Sequence, residues 1–235
     1  NEKVVAKSYK LVKKWYDKVT MRRTIDLKLI EWKNSKNRKP LIIKGARQVG
    51  KTYSLKKFGA ENFKHSHYIN LEKQINLQKI FNKSLDPINI INELTFELGT
   101  EIDIKHDLLI FDEIQAVPQA LTSLKYFCEE MPELAVCAAG SLLGLKLSPV
   151  SFPVGKVDYL CMYPLCFSEF LEAIGEERLN KALQSHLQSQ NIPETIHDKL
   201  WEKLKIYFIV GGLPEVVENY RLSSKTLLFT RFQEA

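Results

Sequence analysis

The sequence predicts an α/β fold, with a central parallel sheet between layers of helices and a small helical domain after it. Between residues 39 and 163, short apolar runs typical of buried strands alternate with segments of helical periodicity. From about residue 164 the pattern is helical throughout. Because strands that alternate with helices are joined by right-handed crossovers, they form a parallel sheet with helices on both faces. The first part is therefore expected to be a three-layer sandwich.

The candidate strands and helices follow one another at short spacing. Five apolar runs are the expected strands: residues 40–44, 67–72, 107–113, 134–141 and 157–163. Helical patterns occupy residues 25–33, 51–59, 77–81, 88–98 and 119–130, and then 168–174, 176–188, 195–209 and 214–221. Gly59 is expected to end the second helix and Ser168 to begin the sixth, because these residue types favour helix boundaries.

A glycine-rich loop follows the first expected strand. Residues 45–52 read GARQVGKT and match G-x-x-x-x-G-K-T, the loop that wraps the phosphates of a nucleoside triphosphate. Its glycines let the backbone curl so that successive N–H groups point at phosphate oxygens. A surface turn can match by chance, but the order strand, loop, helix favours nucleotide binding, since a helix N-terminus attracts anions. The expected nucleotide contacts are Gly45, Ala46, Arg47, Gln48, Val49, Gly50, Lys51, Thr52 and Tyr53.

Two side chains of this loop carry specific chemistry. Lys51 supplies a mobile positive charge to the β- and γ-phosphates, so we count it among the catalytic residues. The hydroxyl of Thr52 suits Mg²⁺, which prefers oxygen ligands and is commonly shared between protein and phosphates. The loop therefore predicts both a nucleotide and a magnesium ion.

A second motif lies about sixty residues further on. The run DLLIFDE at residues 107–113 is an apolar strand ending in two adjacent carboxylates, a Walker B pattern. Asp112 faces the crevice where open α/β sheets bind ligands, so it can hold Mg²⁺ together with Thr52. Glu113 is suited to orienting the attacking water or taking its proton, which indicates hydrolysis as well as binding. Alternatively, Asp112 caps the following helix and Glu113 is a first-turn carboxylate.

Composition narrows the class of protein. A chain of 235 residues, 45% hydrophobic and 26% charged, suits one α/β domain with a small appendage. No apolar run has the length of a membrane span and no secretion signal is recognisable, so we expect a cytoplasmic protein that does not enter the membrane. The four cysteines lack zinc-like spacing and are expected to be small buried hydrophobes, and the five histidines form no metal-binding motif.

The positive charge of the chain is concentrated at its N-terminal end. Residues 1–40 contain 13 Lys and Arg against 4 Asp and Glu, whereas the remainder contains 21 against 24. Apolar residues recur there at helical spacing, with lysines on the other face: Val5, Tyr9, Val12, Tyr16 and Val19. Such a helix is solvated and docked on the domain, binds a partner, or contacts nucleic acid. Nucleic acid is the least favoured of the three, since no recognised DNA-binding motif is present.

Seven runs of the sequence together resemble one family. They read KPLIIKGARQVGKT (39–52), YINLE (68–72), LIFDEIQ (109–115), AAGSLLG (138–144), SFPVGKV (151–157), YPLCFSEFL (163–171) and GGLPEVV (211–217). The combination covers about residues 20–220 and is far more specific than any one motif. It is similar to the prokaryotic AAA-type ATPases that carry a C-terminal DUF4143 domain, and this chain resembles their N-terminal ATPase portion.

The resemblance implies an AAA+-like P-loop sheet with a helical lid, ATP with Mg²⁺ as ligand, and Ser141 at the sensor position beside the γ-phosphate. From the residues alone, Ser141 is a hydroxyl at a strand end, and a capping role is an alternative. Related ATPases often have an arginine where this chain has Lys156. Lysine cannot form the planar fork of an arginine finger, so the residue that would supply one is left open.

The expected layout has four parts: a basic helical arm at 1–38, a P-loop ATPase core at 39–163, a helical lid at 164–225, and the start of a further C-terminal region at 226–235. The chain begins without Met and ends inside an expected helix at 227–235. We therefore expect the family's C-terminal domain to lie beyond it. A helical lid after an α/β core suits a clamp that reports whether a γ-phosphate is bound.

These observations favour an ATPase that converts ATP and water to ADP and phosphate and couples the reaction to movement of the lid or of a partner. The alternative is a nucleotide-dependent binding switch with little intrinsic turnover, whose output is a protein or DNA contact. The basic arm and Lys156 favour that alternative. A small-molecule kinase fits less well, because no second substrate pocket is evident. A homo-oligomer and an unidentified protein partner remain open.

Overall fold

A computed structural model describes residues 21–141, 155–186 and 192–233. They divide into two compact units, an α/β unit at Ile25–Tyr163 and a helical unit made of residues 21–24 and those after residue 163. The expected amphipathic stripe from Val5 to Val19 lies outside the described residues, as do parts of the AAGSLLG and SFPVGKV runs. Within the described ranges, no helix has the length and apolar character needed to span a membrane.

The α/β unit is built on five parallel strands in the order β2-β3-β4-β1-β5. The strands are β1 (Leu41–Gly45), β2 (Ser66–Asn70), β3 (Leu108–Asp112), β4 (Ala135–Ser141) and β5 (Asp158–Met162). β4 comes late in the chain but lies between β1 and β3 in the sheet. The carboxyl ends of the two motif-bearing strands are therefore separated by one intervening strand.

Helices cover both faces of this sheet. They are α1 (Thr24–Lys33), α2 (Lys51–Asn62), α3 (Ile75–Lys83), α4 (Pro87–Leu98) and α5 (Pro118–Glu130), with a short 3-10 turn at Ile114–Ala116. Successive side chains of a strand point to opposite faces, so Leu109 and Phe111 pack in the cluster that includes residues of α3, α4 and α5. Leu108 and Ile110 pack in the cluster that includes residues of α1 and α2. The predicted three-layer α/β sandwich is confirmed.

The end of α2 differs from the prediction. The helix continues past Gly59 to Asn62, so the expected helix end at Gly59 is wrong. A Cβ on Gly59 would lie 2.7 Å from Cβ of Ser66, the first residue of β2. The glycine is therefore explained by the close approach of α2 to β2, and not by a helix terminus.

The helical unit contains α6 (Phe167–Ala173), α7 (Glu177–His186), α8 (Glu194–Val210) and α9 (Pro214–Gln233). Its small core is formed by Leu165, Phe170, Ala173 and Val217. The predicted start of α6 at Ser168 is wrong, because its N-cap is Cys166, whose backbone N–H donates to the Glu169 carboxylate at 3.0 Å. The helix expected to end at residue 221 continues without a break to Gln233.

The four cysteines have different environments, and all are free thiols. Cys137 of β4 is fully buried, and burial raises the pKa of its thiol. Cys161 and Cys166 are exposed, so the expectation of four buried hydrophobes is wrong for these two.

A buried carboxylate ties the amino ends of β2 and β3 together. Asp107 precedes β3 and is fully buried; it accepts hydrogen bonds from the backbone N–H of His65 at 3.1 Å and of Asp103 at 3.0 Å. Nε2 of His67 lies 2.9 Å from its second oxygen. Burial alone would raise the pKa of Asp107, but these hydrogen bonds and the neighbouring histidines hold it below its usual range. The ionised carboxylate therefore stabilises the fold.

The substitution Gly59→Val is expected to lower the free energy of unfolding by about 1–3 kcal/mol, because the new side chain overpacks the contact with Ser66. Ala60→Val is the matched control, since it adds the same side chain at the adjacent, exposed position of α2. Urea unfolding followed by circular dichroism measures both. Equal stability of the two variants would show that the space around Gly59 is not limiting.

The substitution Asp107→Asn is expected to lower the free energy of unfolding at neutral pH by about 2–3 kcal/mol, because the hydrogen bonds to a buried charge are lost. Because the pKa of Asp107 is lower in the folded chain than in the unfolded one, its stabilisation is present above about pH 4 and disappears as the pH falls through the folded value. The stability difference between wild type and variant should therefore narrow in acid. Asp198→Asn, at an exposed position, is the control; a difference that persists unchanged in acid would contradict the assignment.

Candidate nucleotide-binding site

The glycine-rich loop joins β1 to α2 and has the backbone that a phosphate-binding turn requires. A Cβ on Gly45 would collide with the Met162 carbonyl of the neighbouring strand β5. Gly50 is the N-cap of α2 with φ of 96°, and Gln48 has φ of 64°, so the loop turns through left-handed residues. No side chain caps the N-terminus of α2 at this N-cap. The first N–H groups of α2 are therefore free of a side-chain cap and suited to donate hydrogen bonds to a bound anion.

Lys51, the first residue of α2, is held against this loop. Its Nζ donates to the carbonyl oxygens of Gly45 at 3.1 Å and Ala46 at 2.7 Å, and the residue is buried. Burial lowers the pKa of Lys51, and the carboxylates of Glu113 and Asp112 oppose that change. The ammonium and the two carboxylates of the second motif therefore lie within electrostatic reach of one another.

Asp112 connects the two sequence motifs. The Oγ1 hydroxyl of Thr52 donates to its Oδ2 at 2.8 Å, and the hydroxyl of Tyr68 donates to the same oxygen at 2.7 Å. The backbone N–H of Glu113 donates to Oδ1 at 3.1 Å. Asp112 does not cap the following helix, because the N-cap of α5 is Val117. The alternative interpretation of this carboxylate as a helix cap is therefore excluded.

Tyr68 of β2 is the second hydroxyl that donates to this carboxylate. Burial, together with the neighbouring Asp112, raises the pKa of Tyr68 to about 12, although the Asn70 side chain, which donates to the phenol oxygen at 3.3 Å, acts in the opposite direction. The Nζ of Lys56 lies 3.4 Å from the centre of the Tyr68 ring, a cation–π contact. The phenol therefore remains protonated at neutral pH and serves as a hydrogen-bond donor to Asp112.

A second network begins at Glu113, directly after β3. Glu113 has φ of 52° and ψ of 45°, a left-handed conformation that is uncommon outside glycine. Its Oε2 accepts a hydrogen bond from Nε2 of Gln115 at 2.5 Å, and Oε1 of Gln115 accepts the backbone N–H of Ser141 at 3.3 Å. Ser141 ends β4 and is paired in register with Gly45 of β1. One side chain therefore links Glu113 to a residue beside the glycine-rich loop.

The predicted site residues lie together at the carboxyl-terminal ends of the strands. Lys51, Thr52, Asp112, Glu113 and Ser141 lie at or directly beside the ends of β1, β3 and β4. Most of these side chains end in oxygen atoms that could bind a metal ion. Among the described residues, no group of three or more His, Cys, Asp or Glu side chains forms a metal site. An ion bound here would be held by Thr52, Asp112, phosphate and water, a set of hard oxygen ligands that fits Mg²⁺.

Other predicted contacts differ in what they can offer. The side chains of Arg47 and Tyr53 are exposed, whereas Val49 is fully buried in the core, so only its backbone can reach a ligand. Lys156 forms an ion pair with Glu129 of α5 at 2.9 Å, and this hydrogen bond raises the pKa of Lys156. In the structure, the charge of Lys156 is used in that pair.

Two residues of the networks were missed from the sequence. Tyr68 and Gln115 lie inside the YINLE and LIFDEIQ runs, but periodicity assigned Tyr68 to a strand and Gln115 to no role. The available signal was positional: Gln115 lies two residues after Glu113, within reach of the same carboxylate. Tyr68 needs the additional fact that β2 is the neighbour of β3.

Comparison with known protein families identifies a family for the part of the chain that contains the site. The family model for an AAA domain matches residues 37–171, more than half of the chain. The chain belongs to this AAA domain family. The match includes the glycine-rich loop, β2, both carboxylates of the second motif and Ser141. The C-terminal DUF4143 domain of the resembling ATPases stays a prediction. No curated protein matches this chain.

One solved structure is similar in fold to this chain. The Drosophila ORC bound to DNA is similar with a TM-score of 0.50 and 14% identity, over 86% of this chain and 59% of that one. The chain therefore spans about three fifths of that ORC chain. AMPPCP-bound DnaA from Aquifex aeolicus (TM-score 0.40, 16% identity, 87% of this chain and 66% of that one) is more distant. A STAND protein with a tetratricopeptide repeat sensor from Pyrococcus horikoshii is also more distant (TM-score 0.42, 15% identity, 84% of this chain and 29% of that one). At this identity the ORC likeness shows the fold alone.

Proposed function

We propose that this AAA domain binds ATP with Mg²⁺ and hydrolyses it to ADP and phosphate. The observation that carries the proposal is the hydrogen bond of 2.8 Å from Thr52 to Asp112. It joins the glycine-rich loop to the acidic strand end across the sheet, although the two residues are sixty positions apart. This is the arrangement in which a loop hydroxyl and a strand carboxylate share one metal ion beside a triphosphate.

The loop supplies the binding energy for the phosphates. The N–H groups at the start of α2 and the turn from Gly45 to Gly50 provide donors, and Lys51 provides a charge that is already desolvated. A desolvated ammonium interacts more strongly with phosphate oxygens than an exposed one does, because the local dielectric is lower. When bound, Mg²⁺ would neutralise charge on the phosphates, and Thr52 and Asp112 would hold it.

Glu113 and Ser141 complete the proposed reaction. Glu113 follows the metal-binding carboxylate directly, so its carboxylate is available to orient a water and accept its proton. Ser141 is in register with Gly45, which favours its assignment as the group that contacts the γ-phosphate. Lys51 stabilises the negative charge that develops on the transferred phosphoryl group.

We further propose that hydrolysis is coupled to movement of the helical lid or of a protein partner in the cytoplasm, with a homo-oligomer as one arrangement. A nucleotide-dependent binding switch with little turnover is the alternative outcome of the same site. A nucleic-acid output has only the basic arm in its favour, and Val5 to Val19 of that arm lie outside the described residues. The two functions differ in turnover and not in nucleotide affinity, so one set of variants separates them.

Steady-state phosphate release with MgATP tests the proposed reaction. Lys51→Ala is expected to weaken nucleotide binding at least tenfold, because it removes the lysine charge that is proposed to contact the β- and γ-phosphates. Glu113→Gln is expected to keep nucleotide binding and to lower kcat by about 10²- to 10⁴-fold, because the amide cannot accept the proton of water. Binding of a fluorescent ATP analogue, measured in parallel, separates the two effects.

The matched controls are Lys28→Ala and Glu130→Gln, both at exposed positions away from the sheet edge. Unchanged turnover in Glu113→Gln would remove the role assigned to Glu113. Tight, Lys51-dependent MgATP binding without turnover in the wild type would favour the switch. A rise of specific activity with protein concentration would indicate that the site is completed between subunits.

The substitution Tyr68→Phe is expected to raise the Mg²⁺ concentration needed for half-maximal activity by about tenfold, because Asp112 loses a hydrogen bond that orients it. The ring and its contact with Lys56 are retained, so the packing should be unchanged. Tyr126→Phe on α5 removes a hydroxyl outside the site and is the control. Mn²⁺ binding in the presence of ADP, followed by electron paramagnetic resonance, gives the metal affinity directly. An affinity equal to that of the wild type would show that Tyr68 does not position the carboxylate.

A further inference from the structure

The amide of Gln115 is held at both ends. Its Nε2 donates to Oε2 of Glu113 at 2.5 Å, and its Oε1 accepts the backbone N–H of Ser141 at 3.3 Å. A carboxylate can only accept a hydrogen bond and an N–H can only donate one, so the two partners dictate the orientation of the amide. The amide carries its donor and its acceptor on separate atoms, so one side chain can satisfy both partners at once.

The backbone beneath Gln115 is also fixed. Ile114, the preceding residue, is fully buried in the core beside β3. The backbone N–H of Ala116 donates to the Glu113 carbonyl at 2.9 Å, and that of Val117 donates to the Ile114 carbonyl at 3.2 Å. The side chain of Gln115 therefore extends from a short, anchored turn, so that a displacement at one end of its amide is passed to the other.

Glu113 needs such support. Its left-handed backbone is strained and persists only where the surroundings hold it in place. Lys51 lies within electrostatic reach and attracts the Glu113 carboxylate, the adjacent Asp112 repels it, and the phenol of Tyr68 is also near. With Oε2 accepting from Gln115, Oε1 accepts no hydrogen bond from the described part of the chain. Both lone pairs of Oε1 are therefore available to a water molecule.

We infer that Gln115 is a positioning residue for hydrolysis: it holds the Glu113 carboxylate for the attacking water and ties it to the end of β4 at Ser141. A contact made at Ser141, where the γ-phosphate is proposed to lie, would be transmitted through one amide to the proton acceptor. This inference rests on the proposed ATPase function. It adds a link between phosphate recognition and the carboxylate, which neither motif contains by itself.

The test compares Gln115→Met and Gln115→Glu with wild type in steady-state phosphate release. Met keeps the length of the side chain but loses both hydrogen bonds, and Glu keeps its shape but loses the donor to Glu113. We expect kcat to fall about 10- to 100-fold in both variants, since misplacing a catalytic group costs rate. The KM for ATP should change less than about twofold, because ground-state binding does not use Gln115. Gln119→Met, at an exposed position in the first turn of α5, is the control.

A double variant distinguishes positioning from a general structural role. If Gln115 acts through Glu113, then Gln115→Met should cause no further loss in a Glu113→Gln background, because the group it positions is already disabled. Thermal unfolding and ADP binding of each variant report whether the fold and the phosphate loop are intact.

Three results would overturn the inference: a kcat within twofold of wild type in both Gln115 variants, a raised KM with unchanged kcat, or a full additional loss in the double variant. In each of these the wild type still hydrolyses ATP, so the proposed function stands. An inactive wild type removes the proposed function and the inference together.

Discussion

The position of β4 between β1 and β3 is the constraint on which the site depends. Neighbouring strands lie about 4.8 Å apart, so the intervening strand holds the loop after β1 and the carboxylates after β3 roughly 10 Å from each other. Thr52, on the first turn of α2, reaches across this distance to Asp112. β4 also brings Ser141 into register with Gly45. β4 therefore sets the separation of the two motifs and adds Ser141 between them.

The same strand order explains why polar side chains collect at the carboxyl-terminal ends of β3 and β4. At the carboxyl end of β3, Asp112 accepts from a threonine hydroxyl, a tyrosine hydroxyl and a backbone N–H. Directly after β3, Gln115 joins Glu113 to Ser141 at the end of the neighbouring strand β4. Each buried or half-buried charge therefore has partners on the flanking elements, which offsets the cost of removing it from water. The AAA domain keeps two adjacent carboxylates and a lysine together because every member of the group is hydrogen-bonded.

What the sequence could predict was local. The loop, the acidic strand end and the alternation of strands and helices depend on residues close together in the chain, and each was recognised from spacing alone. Gly59 was misjudged because a glycine near the end of a helical pattern suggests a terminus, whereas its cause is the contact with Ser66 on another element. Ser168 was misjudged because serine is a preferred N-cap residue and cysteine is not, whereas Cys166 and Glu169 form the cap two residues earlier. Tyr68 was missed because its role requires knowing that β2 is the neighbour of β3.

The two ends of β3 show how a structural carboxylate differs from one suited to catalysis. Asp107, at the amino end, accepts two backbone N–H groups and contacts a buried histidine, His67. Backbone donors cannot turn away, so this carboxylate cannot exchange its partners for a ligand. Asp112, at the carboxyl end, also accepts a backbone N–H, but its other two partners are hydroxyls. A hydroxyl can rotate and offer its oxygen instead of its proton, so Thr52 and Asp112 can change from partners of each other to common ligands of a cation without movement of the backbone.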